Sequence, residues 1–221
     1  MKPTLYIGNK NYSSWSLRAW FLLSESAIDF EEVRLPLDTP EFYARIREIS
    51  PAGRVPVLAL EGRPVWDTLA IAETAAERWP DRSLWPSDAA ARAHARSVSA
   101  EMHSGFNALR EAMPMNCRAM GRRVALSDAT LADIERIQFI WADCAERYGG
   151  QDQDAGWLFG RFSIADAMYA PVVFRFRTYG VNVAESASSY PGRVLRSKAI
   201  QNWLRAAESE TEVVENEEAG Q

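Results

Sequence analysis

Three short stretches of this 221-residue chain carry side chains suited to holding an anion. Ser13, Ser14 and Ser16 crowd around Trp15, directly behind a strand-like run and at the start of a helical one. A serine hydroxyl at a helix N-terminus can donate to a thiolate, and the free backbone N–H groups and the helix dipole favour the same negative charge. Ser13 fits equally well as the N-cap of that helix. The second stretch, Arg54-Val55-Pro56, enters a hairpin, and the third, Asp67-Thr68, enters another helix that either residue can cap. His94 and His103 stand nine residues apart with no acidic or cysteine partner at ligand spacing, and Cys117 and Cys144 form no Cys-x-x-Cys pair. No metal centre and no disulfide framework is expected, and both thiols are expected buried and reduced.

The elements that must position these residues can be read from periodicity. Thr4 to Gly8 reads as a first strand, Ser14 to Ser26 as a helix, Phe30 to Leu35 as a second strand and Pro40 to Ile49 as a short helix stopped by Ser50-Pro51. Val57 to Leu60 and Arg63 to Trp66, joined by Glu61-Gly62, read as a hairpin. A helix from Asp67-Thr68 to Trp79 closes the series, with Pro80 as its stop. The expected order is β-α-β-α-β-β-α.

Beyond Ser87 the chain shows helical patterns and no strand. Met102, Phe106, Leu109 and Met113 mark one face of a helix from Asp88 to Pro114; Leu131 to Tyr148 mark a second, behind a Thr130 cap; Ser163 to Arg177 and Lys198 to Ala207 mark two more. Ser163 and Asp166 have capping-box spacing and are assigned a structural role. Gly149 to Asp154 reads as a turn-rich loop.

Composition removes several function classes. With 47% hydrophobic residues the chain can supply a core. Six glutamates and no base follow from Glu208 onward, read as a solvated, frayed tail, which leaves 25 bases against 24 acids in the remainder. Such a neutral body gives no reason to expect nucleic acid as a partner. No apolar run approaches the ~18–20 residues that span a bilayer, so no membrane partner is expected and the cytoplasm is the expected location.

In order along the chain, Ser13-Ser14-Trp15-Ser16-Leu17-Arg18, Arg54-Val55-Pro56-Val57-Leu58, Asp67-Thr68-Leu69-Ala70-Ile71, the Pro86 to Ala93 segment and Phe162-Ser163-Ile164-Ala165-Asp166 resemble the glutathione transferase superfamily. The resemblance spans nearly the whole chain, and the Ser-Ser-x-Ser-x-Arg stretch looks most like zeta-like bacterial members, which include maleylacetoacetate isomerases. It implies an α/β thioredoxin-like N-terminal domain (1–80) that binds glutathione, a linker (81–87), and an all-α domain (88–207) that shapes a pocket for the second substrate, with the acidic tail (208–221) beyond.

The resemblance also assigns roles. Ser13 takes the place of the thiol-activating residue, with Ser14 as runner-up. Lowering a thiol pKa from about 8.5 to about 6.5 takes roughly 2.7 kcal/mol, within reach of one charged hydrogen bond and a helix end. Val55, before an expected cis Pro56, presents its backbone to the cysteine part of glutathione; Arg54 can meet a glutathione carboxylate; Thr68 can hold the γ-glutamyl carboxylate and Asp67 its ammonium. Tyr12, Trp15, Phe106, Arg110, Met113 and Tyr179 are candidates for the second pocket. Trp15 stands where zeta-like isomerases carry Cys, which counts against maleylacetoacetate isomerisation specifically and favours an apolar or aromatic electrophile. The implied activity is that of a homodimeric glutathione transferase using glutathione as co-substrate and no metal. A glutathione-dependent isomerase, a β-etherase-like lyase and a non-catalytic scaffold of the same fold are the alternatives.

Overall fold

The computed structural model describes residues 2–149 and 156–220. The chain begins β1 (Thr4–Ile7), α1 (Ser14–Glu25), β2 (Glu31–Arg34), α2 (Pro40–Ile49), β3 (Val57–Leu60), β4 (Arg63–Val65) and α3 (Thr68–Arg78), the order expected from the sequence. The strands form one mixed sheet in the order β2-β1-β3-β4, with β1 parallel to β2 and antiparallel to β3, and β3 antiparallel to β4. Leu5 and Ile7 point from β1 into the core and are fully buried with Leu58 of β3, while Val57 packs with Leu35, Phe42 and Ile46 beneath α2.

The remainder is helical: α4 (Ala89–Ser104), α5 (Asn107–Ala112), α6 (Asp128–Tyr148), α7 (Ile164–Tyr179), α8 (Ser189–Arg196) and α9 (Lys198–Ser209). Helix α7 is buried on nearly every side and packs against both α1 and α4. One hydrophobic core therefore runs from Leu5 and Phe21 through Tyr169 and Phe174 to Trp141 and Trp203, joining the sheet half to the helical half.

Three expectations need correction, and one helix was not expected. The single helix from Asp88 to Pro114 is broken at Gly105 and Phe106, where Phe106 takes a left-handed conformation with φ of 59° before α5 restarts. The cap of α6 is Ser127, whose Oγ accepts from Thr130 N at 3.2 Å; Thr130 lies inside the helix. Helix α8 went unread because the turn-forming Pro191-Gly192 pair sits inside it. The acidic tail is not frayed: Glu210 accepts from the backbone N–H groups of Lys10 and Asn11 at 2.7 and 3.0 Å, and Glu212 pairs with Arg34 at 2.7 Å. The loop read at Gly149 to Asp154 lies, beyond Gly149, outside the described residues.

Candidate active site

Helix α1 begins beneath an open cleft, and its first turn divides the labour among three serines. Ser13 is the N-cap: its Oγ accepts from Ser16 N at 3.4 Å and donates to Ser16 Oγ at 2.7 Å. Ser16 Oγ in turn accepts from Gly8 N at 3.0 Å, so the Ser13 proton is directed inward to a buried chain of hydrogen bonds. Ser14, at the first helical position, accepts from Arg175 Nη2 at 3.3 Å and keeps its own proton for another acceptor. Both serines line the same cleft.

That cleft, of about 490 Å³, is walled by Tyr12 and Trp15 from the α1 side, Phe42 and Tyr43 from α2, and Arg110 and Arg175 from α5 and α7. Its aromatic walls and cationic floor are chemically distinct. Arg175 is 5% exposed and donates to Ser14 Oγ and to the carbonyls of Met113 and Arg110. Arg110 donates to the carbonyls of Gly105 and Met102. Arg18, fully buried behind them, and Arg110 lie with their guanidiniums 4.3 and 4.9 Å from the centre of the Trp15 ring. Among the described residues no carboxylate comes within ion-pair distance of Arg18, Arg110 or Arg175. Burial, with Arg110 nearby, lowers the Arg175 guanidinium to about 10, still protonated at neutral pH. Glu217 attracts Arg175 and Asp133 attracts Arg110 from beyond ion-pair distance, so neither guanidinium has a carboxylate in direct contact.

A second hollow of about 540 Å³ shares Trp15, Arg54 and Val55 with the first and continues to Pro56, Asp67, Thr68 and His103. The Val55–Pro56 bond is cis, as is Trp66–Asp67. Asp67 caps α3 by accepting from Leu69 N at 3.2 Å, and its other oxygen lies 3.2 Å from His103 Nε2. Thr68 is 2% exposed, and its Oγ1 has no hydrogen-bond partner in the protein. A buried hydroxyl left unpaired beside the N-terminus of a helix is the arrangement a bound carboxylate satisfies.

The comparisons with known proteins bear on this geometry. Residues 12–78 match the family model for the glutathione S-transferase N-terminal domain, and residues 89–206 match that for the C-terminal domain. The chain belongs to the glutathione S-transferase family. It is similar to a maleylacetoacetate isomerase of Rattus norvegicus, 26% identical over 86% of this chain and 83% of that one. It is also similar to a probable maleylacetoacetate isomerase of Caenorhabditis elegans, 35% identical over 49% of this chain; the matched region spans half the length of that protein. These relatives mark it as a zeta-like member. Among solved structures, a glutathione transferase homologue from Burkholderia with bound glutathione superposes with a TM-score of 0.69 at 25% identity, covering 95% of this chain and all of that one.

Within this transferase fold the expected site residues fall into groups. Tyr12, Ser13, Ser14, Trp15, Arg54, Val55 and Arg110 line the first hollow, and Trp15, Arg54, Val55, Pro56, Asp67 and Thr68 line the second. Phe106 and Met113 do not belong with them: both are buried in the helical core, where Met113 offers only its carbonyl, to Arg175. Tyr179 packs on the same core, with its hydroxyl 3.5 Å from the Ala219 carbonyl. The Tyr12 hydroxyl is engaged, donating to Glu218 at 2.6 Å and accepting from Arg118 at 2.9 Å. Cys117 and Cys144 are free and buried, and burial pushes each thiol up to about 12. Arg175 is absent from the sequence reading, and His103 enters it only as a rejected metal ligand. The available signal for Arg175 was a cation in the middle of an otherwise apolar helix; for His103 only the fold supplies Asp67 as its partner.

Proposed function

We propose that this chain binds glutathione in the hollow between Val55 and Thr68, ionises its thiol at Ser14, and adds the thiolate to a small electrophile bearing a carboxylate. The single observation that carries the reading is the buried Arg175 guanidinium on Ser14 Oγ, with the half-buried Arg110 lining the same cleft and no carboxylate within ion-pair distance of either. Glutathione fills the second hollow with its γ-glutamyl carboxylate on Thr68 and the α3 N-terminus and its ammonium toward Asp67; Arg54 reaches the opposite carboxylate. The sulfur then lies at the start of α1. There the Ser14 hydroxyl, polarised by the Arg175 guanidinium on its oxygen, donates to the thiolate. Ser13 holds the helix start in place.

The aromatic walls take the body of the electrophile and the two arginines its acid group, which combines the apolar character expected from Trp15 with a charged end. Thiolate attack on the β-carbon of an unsaturated keto acid forms the C–S bond and moves the electron pair onto the carbonyl oxygen as an enolate. Rotation about the former double bond followed by loss of the thiolate returns an isomerised acid; protonation at carbon instead leaves a thioether. The relatives named maleylacetoacetate isomerase support the first outcome. Incubation with glutathione and a cis-unsaturated keto acid, followed by proton NMR, tests the reading: a trans product or a thioether supports it, and unchanged starting material overturns it.

The reading includes a cytoplasmic homodimer joined through α3 and α4. Ala70, Ala89, Ala90 and Ala93 are exposed and permit close approach, whereas Ala72, Ala75, Ala91 and Ala95 are buried within the chain. Light scattering at about 25 kDa would reject the dimer.

A further inference from the structure

The C-terminal segment after α9 does more than cover the surface. It is fixed at both ends across the join between the two halves of the molecule. Glu210 caps the backbone N–H groups of Lys10 and Asn11, and Arg118 donates to the carbonyls of Glu210 and Glu212. Further along, Glu218 accepts from Tyr12 Oη at 2.6 Å and Asn116 Nδ2 at 2.9 Å and pairs with Arg122, which also donates to the Gly220 carbonyl at 2.9 Å. Held between these anchors, Glu217 is brought to the wall of the cleft that contains Ser14, Arg110 and Arg175. It faces Arg175 electrostatically but makes no ion pair with it. A carboxylate is thus stationed on the wall of the same cleft, beyond ion-pair distance of the guanidiniums.

We propose that Glu217 is a specificity-determining residue: its carboxylate competes with the acid group of the substrate for the field of Arg175 and Arg110. It thereby sets how tightly, and with how many negative charges, an electrophile can be held. This rests on the assignment of those arginines to the substrate's acid group under Proposed function. Two consequences distinguish it from a merely structural tail. A dianionic ligand meets repulsion from Glu217 that a neutral ligand of the same shape does not. Neutralising Glu217 raises anion affinity, whereas neutralising an exposed glutamate of the same segment, Glu215, leaves it unchanged.

The test is calorimetric titration of maleate, with no thiol present, into the full chain and into Glu217→Gln, Glu215→Gln and Arg175→Met. Removal of one like charge near the site in a partly desolvated cleft is expected to tighten maleate about five- to tenfold in Glu217→Gln. Glu215→Gln should match the parent chain, and Arg175→Met should bind maleate more weakly than either. Dimethyl maleate, the neutral ester, should respond equally to the parent and Glu217→Gln proteins when its consumption with glutathione is followed. Equal maleate affinity in the parent and Glu217→Gln, with binding still dependent on Arg175, overturns the role of Glu217 and leaves the anion cleft standing. Equal tightening by Glu215→Gln also overturns it, as an effect of overall charge. Absence of maleate binding in all four proteins overturns the anion cleft and the competitor together.

Discussion

Arg175 Nη2 donates to Ser14 Oγ at 3.3 Å, joining the buried centre of α7 to the first turn of α1. The contact gives the two serines of that turn different tasks. Ser13 has its proton committed to Ser16, while Ser14 has its oxygen occupied by a cation and its proton available.

Replacing Arg175 should separate acidic from neutral electrophiles. Arg175→Met removes a charged hydrogen-bond donor worth about 1.5–3 kcal/mol, so kcat/KM for an acidic electrophile should fall about 10- to 150-fold. The methyl ester of the same electrophile should lose much less. A steady-state comparison of the acid and ester checks this; equal losses would mean that Arg175 acts only on Ser14 or on the fold.

Thr68 presents the reverse of an ordinary buried hydroxyl. Because Oγ1 has no partner in the protein, Thr68→Ala should leave thermal stability unchanged or slightly raised. Glutathione binding should nevertheless weaken by about 1–3 kcal/mol, through loss of a donor to a charged carboxylate. Calorimetric titration together with a melting curve separates the two effects.

Asp166 secures the start of α7 by accepting from Leu158 N at 2.9 Å, Ser163 N at 2.8 Å and Ser163 Oγ at 2.9 Å. In Asp166→Asn the amide group faces donors, and leaving one or two of them unpaired in the core should cost about 2–5 kcal/mol. Chemical denaturation checks this. Burial raises the carboxyl to about 7 against the pull of these donors. The folded chain then keeps a proton that the unfolded chain releases near pH ~3.9, so this group's contribution is fully present below that pH and is lost as pH rises toward about 7. The stability difference between the parent and Asp166→Asn proteins should shrink across that window.

What the sequence revealed is what short-range chemistry controls. Ser13, Asp67 and Ser163 cap helices because each offers its oxygen to N–H groups two or three residues away, a pattern visible in linear order. The break at Gly105 and Phe106 stayed hidden because Met102, Phe106, Leu109 and Met113 keep helical spacing across it, and the apolar pattern carries no record of a single left-handed residue. The tail misled for a related reason. Six glutamates look solvated until the fold brings Arg34, Arg118 and Arg122, and two backbone N–H groups of the Lys10 turn, to meet some of them. Arg175 belongs to the same class of long-range fact, since only the packing of α7 on α1 makes it part of the serine site.

The most direct measurement is the ultraviolet absorbance of bound glutathione thiolate followed against pH in the parent, Ser13→Ala and Ser14→Ala proteins. Loss of the Ser14 hydroxyl should raise the thiol pKa by about one to two units, one charged hydrogen bond at 1.36 kcal/mol per unit. Ser13→Ala should leave the thiol titration in place and lower folding stability by about 0.5–2 kcal/mol, the cost of a lost N-cap. A shift confined to Ser13→Ala would contradict this assignment and return the role to the cap residue. Three superimposed curves would show that neither hydroxyl holds the thiolate.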